Sequence, residues 1–283
     1  MLLLDLPEEI LFVVLESVIL PSDSQLSLPD PHSLLTCRTI HRIGLPILYQ
    51  SILLRTISQT HSVERTFLRQ PKLAYHIRHL YASALTFWLP VFHAIGDVKG
   101  SLQTLDFVLH GWGGNHSLGG GDKNTWPPLS AVPVRRLVVR QGAGFIHDRA
   151  LGAASTLARA IEGWTSLEVA VIEPRLLFLP PHGQPSPLAL TLSRSPSLRV
   201  LRTPLPPAWN SSLLIVSENP SLVRIVLTKP QLFLALDGFA ATDEEVSIVE
   251  LLTRHDDHPW LVEAQKHRRL MRLIGSKQET GDT

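Results

Sequence analysis

The chain has 283 residues and nearly balanced charge, 26 Lys and Arg against 25 Asp and Glu, for a formal net charge of +1. Hydrophobic residues make up 44% and charged residues 18%, enough apolar surface to offset the entropy of ordering, so disorder along the whole length is excluded. The balance also argues against a nucleic-acid binder, which shows a broad basic excess, and a single cysteine, Cys37, leaves no intrachain disulfide and points to a reducing, intracellular compartment. The 50 leucines and 22 prolines suggest repetition.

The segment from Met1 to Leu20 is apolar but carries Asp5, Glu8, Glu9 and Glu16 and no basic start, the opposite of a secretory signal. Asp5-Leu6-Pro7-Glu8 reads as a capping box with proline in the first turn, where its missing N–H costs little. The helix it opens runs through Ile10, Leu11, Phe12, Val13, Val14, Leu15 and Val18. Its apolar arc covers roughly 200°, about twice the stripe that a helix facing one core needs, so something must cover a second side. A polar loop from Pro21 to Pro29 follows. Asp30-Pro31 then opens a second helix over Ser33 to Arg42, Gly44 ends it, and Pro46 to Tyr49 starts a third short element.

Three blocks in this order, Leu6-Pro7-Glu8-Glu9-Ile10-Leu11, Leu34-Leu35-x-Cys37-Arg38-x-x-His41 and Pro46-x-Leu48-Tyr49, resemble the F-box family over about 50 residues. The loop between the first two helices is longer than in the compact family pattern, and Tyr49 stands where tryptophan is often found. The resemblance implies docking on a Skp-family adaptor and through it on a cullin–RING ubiquitin ligase. Residue by residue, it implies that Leu6, Pro7, Ile10, Leu11, Leu34 and Leu35 face the adaptor. The alternative is that these helices only cap the open end of a repeat array, whose core needs a cover.

Six segments downstream share the pattern apolar-x-x-apolar-x-apolar, starting at Ile77, Leu102, Val134, Leu167, Leu198 and Leu222, at intervals of 24 to 33 residues. Serine precedes four of them, at Ser101, Ser166, Ser197 and Ser221. Each alternates like a strand, placing its first, fourth and sixth residues toward one core. Helical spacing fills the intervals, most clearly over Arg149 to Trp164 and more weakly over Ser62–Leu73, Leu89–Val98, Pro187–Ser195 and Ser211–Ser217. Strand then helix at such intervals resembles the leucine-rich repeat; an ordinary α/β sheet with look-alike strands is the alternative. The expected fold is therefore α/β: an N-terminal three-helix F-box-like module over residues 1–56, an irregular leucine-rich-repeat-like solenoid with a parallel sheet over 57–240, and C-terminal helices with a disordered tail over 241–283.

Several segments invite chemistry. His110-Gly111-Trp112-Gly113 resembles the oxyanion segment of α/β-hydrolases, and His116-Ser117-Leu118-Gly119-Gly120 resembles their nucleophile elbow. Asn115 occupies the place of the elbow's first glycine, however, and Ser117 follows Gly113 too closely for a helix and strand to intervene. The segment reads instead as a loop between repeats. His255-Asp256-Asp257-His258 and the pair His76 and His79 lack zinc-type spacing, so neither a metal nor a cofactor is expected. Leu80 to Gly96, broken by Pro90 and His93, is short of the roughly 20 residues a membrane helix needs.

If the apolar triplets point inward, the outward positions gather Arg78, His79, Tyr81, Arg135, Arg136, Arg140, Arg199, Arg202 and Arg224, interrupted by Asp106, Glu168 and Glu173. Arginine suits bidentate recognition of carboxylate or phosphate, so Arg78, Tyr81, Arg136, Arg140, Arg202 and Arg224 form the expected target-binding face. A merely solvated sheet surface is the alternative. Near the C-terminus, Thr242 to Glu245 reads as another capping box, and Pro259 opens a helix whose cations, Lys266 to Arg269 and Arg272, favour its C-terminal end. Together these readings describe a non-enzymatic adaptor, the substrate-recognition subunit of an SCF-type ligase, with an unidentified target protein. The alternatives are an interaction scaffold without adaptor binding and a serine hydrolase centred on Ser117.

Overall fold

A computed structural model describes residues 6–19, 32–82, 89–97, 102–109, 130, 132–141, 147–177, 185–206, 209–228 and 259–275. Seven strands, β1 (Ser51–Leu54), β2 (His79–Ala82), β3 (Leu102–Leu109), β4 (Val134–Gln141), β5 (Val169–Ile172), β6 (Val200–Pro204) and β7 (Arg224–Thr228), form one all-parallel sheet in strictly sequential order. Six fall where the repeated triplets place them. The seventh, β1, begins the sheet inside the 1–56 segment expected to be helical. Its Ile52 and Leu54 pair with Leu80 and Ala82 and are buried like them.

Parallel strands need crossovers long enough to return along the sheet, and among the described residues helices supply all but that from β3 to β4, most of which lies outside them. Between strands lie α3 (Ile57–Arg69), α4 (Leu89–Asp97), α5 (His147–Glu162), the single turn α6 (Pro174–Leu177), α7 (Pro187–Arg194) and α8 (Ser211–Ser217). Leu89–Asp97 is too short to span a bilayer, and among the described residues no helix is long and apolar enough to cross one. One face of the sheet packs into the core. Ile52, Leu80, Leu105, Leu137, Ala170, Leu201 and Ile225 pair in a continuous row across all seven strands and are all buried. Ala154, Leu157 and Ile161 of α5 and Leu188 and Leu192 of α7 join them in one cluster.

The recurring serines have a structural task. Ser166 Oγ donates to the Val134 carbonyl (3.3 Å), Ser197 Oγ to Thr165 (2.5 Å) and Ser221 Oγ to Pro196 (2.7 Å). Each hydroxyl thus satisfies a carbonyl of the preceding strand–helix unit, which explains its place just before a strand. Ser101 lies outside the described residues. Asn219 does more: buried before β7, its Nδ2 donates to the carbonyls of Leu192 (2.7 Å) and Ser195 (2.8 Å), while its Oδ1 accepts the Ser221 N–H (2.8 Å). It ties the end of α7 to the entry of β7.

The N-terminal segment forms α1 (Glu8–Ile19), a 3₁₀ turn (His32–Leu35) and α2 (Arg38–Leu48), with the Cys37 Sγ accepting the Ile40 N–H at 3.5 Å as the cap of α2. The expected break at Gly44 does not occur, and two helices with a 3₁₀ turn stand where three helices are expected. Glycine in a helix costs about 1 kcal/mol relative to alanine, but a Cβ at Gly44 would collide with Leu34 and crowd Ile19. The close approach of those side chains offsets the cost. Pro46 sits near the end of α2, where its missing N–H forfeits a single bond. Asp5, and with it the expected capping box, lies outside the described residues.

At the far end, α9 (Pro259–Gln265) and α10 (Arg268–Gly275) are not a separate appendage. Trp260, Leu261, Ala264, Leu270 and Ile274 belong to the sheet's core cluster. Arg269 also donates to the Asn219 carbonyl (3.0 Å). The capping box at Thr242 to Glu245 and the tail beyond Gly275 lie outside the described residues.

Replacing Asn219 by Ala strands buried backbone groups at both ends of its bridge. Urea denaturation should show a loss of about 2–4 kcal/mol, whereas Ser221→Ala, removing one partly solvated bond, should cost no more than about 1 kcal/mol.

Candidate functional site

Two surfaces carry the residues singled out by the sequence. The first is the N-terminal helix pair. Leu11, Leu15 and Ile19 of α1 pack with Leu34, Ile40, Ile43 and Ile47 in a small core of their own, distinct from the sheet's. Outside, an exposed bidentate ion pair between Glu8 and Arg42 (2.8 and 3.1 Å) links the two helices. Hydrogen bonding to Arg42 holds the Glu8 carboxyl below its usual range, and Glu8 holds Arg42 above its own. With both side chains largely exposed, the pair orients more than it stabilises.

The opposite side of α1 is also apolar. Ile10 (50% exposed) and Val13 (61%) lie across the helix from the buried residues, Val18 (55%) flanks the buried side, and Leu35 on the adjoining turn is 78% exposed. The double-sided helix read from the sequence therefore has one side buried and one bare. The six residues expected at an adaptor divide accordingly. Leu11 and Leu34 are used in the module's own core and do not reach the surface, while Pro7, Ile10 and Leu35 are exposed and Leu6 is half-buried.

The second surface is the face of the sheet turned away from the core row. Its side chains stand in two further registers. One runs Ser51, His79, Thr104, Arg136, Val169, Val200, Arg224, and the other Leu53, Tyr81, Asp106, Val138, Val171, Arg202, Val226. Every member of the first row is half-buried. Arg136 and Arg224 thus share a row, and Tyr81 and Arg202 share its neighbour. Arg78 does not join them: it precedes β2 at the sheet's upstream edge, where its N–H donates to the Gln50 carbonyl (2.8 Å) and its own carbonyl accepts from Gln103 (2.8 Å).

Arg140 is committed to the fold. Its guanidinium makes a bidentate pair with Asp106 across β3 and β4 (3.2 and 3.0 Å), with only 4% of the Asp106 side chain exposed. Burying that carboxylate requires such a partner, so Asp106, read from the sequence as an interruption of the arginines, is an anchor for one of them. Glu173, one residue beyond the Val139–Ile172 pair, is a second carboxyl near the same arginine. Burial pushes its pKa up to about 7, and Arg140 only partly opposes this. The Tyr81 hydroxyl is likewise raised by burial and by Asp106. At the edge, Arg135 pairs with Glu168 (2.9 Å), and burial together with Arg78 lowers the pKa of His76 and His79.

The feature that sequence reasoning missed is the valines between the arginines. Val138, Val169, Val171, Val200 and Val226 fill the middle of this face. Their signal was present, since Val169 and Val171 alternate with buried Ala170 and Ile172 and so make β5 apolar on both sides. The segment containing Ser117 and the cluster from His255 to His258 lie outside the described residues. Among the described residues no group of three or more His, Cys, Asp or Glu is placed to hold a metal. No protein-family model matches the chain, and a search of curated proteins finds no relative.

Because Glu173 takes up its proton more readily folded than unfolded, its burial costs nothing below the unfolded carboxyl range and costs most above pH 7. Stability should therefore fall as pH rises from about 5 to 8. Glu173→Gln should remove that dependence and be more stable than wild type at pH 8 by on the order of 2 kcal/mol, read from urea midpoints at the two pH values.

Proposed function

We propose that the chain is a protein-interaction adaptor, the substrate-recognition subunit of an SCF-type cullin–RING ubiquitin ligase. In this reading the α1–α2 module is an F-box-like unit that docks on a Skp-family adaptor, and the sheet unit is an irregular leucine-rich-repeat-like solenoid that holds the target protein. Its contribution to ubiquitin transfer is proximity: one surface binds the adaptor, the other holds a target, and no bond chemistry is done by its own side chains.

The observation that carries the reading is the bare apolar side of α1. A helix that served only to cap the sheet would place its apolar residues in the sheet's core. Those of α1 instead divide between a separate small core and solvent, and it is Leu45 and Tyr49 at the end of α2 that pack on the sheet unit. Exposed Ile10 and Val13, neighbours on one side of α1, are apolar surface of the kind that marks an interaction site. Strict sequential strand order and hydroxyls reaching back one unit support the repeat reading of the rest.

Co-purification with a Skp-family adaptor tests it. Wild type should bind stoichiometrically. Ile10→Asp combined with Leu35→Asp, both at exposed positions, should keep the far-ultraviolet circular dichroism of wild type and lose binding, since a carboxylate buried at the contact lacks a partner. Absence of binding by folded wild type would reject the ligase role.

A further inference from the structure

We infer that the outward ridge formed by the end of α3 and the 3₁₀ turn after it (Pro71–His76) docks on an anionic lipid bilayer, with Leu68 and Tyr75 entering the interface among Arg65, Arg69 and Lys72. The inference goes beyond the ligase reading and does not depend on it. All five side chains are exposed.

Helical spacing gathers them on one side. Thr60 and Phe67 are buried and Val63 packs against the sheet's core cluster, so these three turn α3 towards the core. At about 100° per residue, Arg65 and Arg69 lie across the helix from them, with Leu68 on the flank beside Arg65. The turn continues the pattern. Leu73 and Ala74 are buried in the same cluster, while Lys72 and Tyr75, three residues apart and so on one side of a 3₁₀ helix, are bare. Because both elements bury their inner sides in one core, their outer sides face away from it together.

Charge and shape select the occupant. Among the described residues Arg65, Arg69 and Lys72 take part in no ion pair. Glu64, the carboxylate of α3, is held by His61 (3.2 Å), and Asp97 ends the neighbouring α4, so positive charge is in excess along the ridge. Leu68 is 77% and Tyr75 55% exposed. Side chains this bare protrude instead of lining a groove, which fits a soft, flat partner that they can enter better than a peptide. A nucleic-acid backbone would engage the cations and leave the leucine in water. A second copy of the same ridge would set cation against cation. An anionic bilayer meets every member: headgroups take the cations, the acyl boundary takes Leu68, and the headgroup level takes a tyrosine ring with its polar tip outward. The long stems of arginine and lysine lie along the interface while their charges reach the headgroups.

The test is sedimentation of the full chain with vesicles of phosphatidylcholine containing about 30% phosphatidylserine. Wild type should bind at lipid concentrations of about 1 mM, detach in about 1 M salt, and ignore pure phosphatidylcholine. Arg65→Gln, Arg69→Gln and Lys72→Gln together should weaken binding about a hundredfold, at about fivefold per cation. Leu68→Ser with Tyr75→Ser, which leaves the charge unchanged, should weaken it about tenfold. Leu68→Trp should be quenched by brominated lipid more than wild type is, a gain that a misfolded variant on the vesicle surface does not produce in step with wild-type affinity. The proposal falls if folded wild type does not sediment with the anionic vesicles at about 10 mM lipid, or if the triple variant binds as wild type does, which would place any attraction elsewhere on the chain. It falls too if the serine variant binds undiminished, since no side chain then enters the interface, or if a single-stranded oligonucleotide displaces the vesicles in a Leu68-independent way. Adaptor co-purification of the same variants separates the readings: vesicle binding lost with adaptor binding kept concerns only this ridge, and the reverse concerns only the ligase role.

Discussion

A parallel sheet one strand–helix unit wide cannot bury its own apolar face, and this constraint organises the molecule. The row from Ile52 to Ile225 is dry because each inner strand has a neighbour on both sides and helices pack on the row. The ends lack a neighbour and are closed by other means. At β1 the end of α2 supplies Leu45 and Tyr49, the latter with its ring 6.0 Å from that of Phe67. At β7 the helices α9 and α10 bring Trp260 into the core, with Trp209 packed against it at 5.9 Å and stacked on His267 at 5.3 Å. Covering the ends with aromatic side chains concentrates large buried area where the ladder stops.

The same constraint divides the labour of the two sheet faces. One is apolar almost throughout, with the buried Thr203 of β6 as a polar exception. The other is released from that demand, and charges appear there with their own logic. Asp106 and Arg140 are buried together as a pair, and Glu173, left without a second arginine, takes a pKa near neutrality. Arginines on β4, β6 and β7 enclose a strip of valine that the core face did not require. Backbone polar groups between units receive a parallel solution in the hydroxyls of Ser166, Ser197 and Ser221, which are small enough to turn back onto a carbonyl without disturbing the next strand.

Much of the fold was legible because its signals are local. Alternation marked six of seven strands, and helical spacing placed α5 and α8 to within two residues of their observed bounds. The misses have physical causes. Ser51-Ile52-Leu53-Leu54 has too few residues to show alternation and lies beside helical signals, so its membership in the sheet depends on β2 being there to pair with it. Gly44 and Pro46 read as helix breakers, yet packing against Leu34 and Ile19 made glycine a requirement inside α2. Asp106 looked like an interruption of a basic surface, because its partner Arg140 is remote in sequence.

The chain by itself determined periodicity: which segments alternate, which repeat every turn of a helix, and that α1 is apolar on more than one side. These follow from covalent spacing and need no neighbour. Which side faces inward was decided only by the tertiary structure. Leu11 and Ile10 are adjacent and equally apolar, and so are Leu34 and Leu35, but one of each pair is buried and the other bare. That choice belongs to the element that docks, since burial is a property of two surfaces meeting, and a sequence specifies the second surface only through the fold that brings it there.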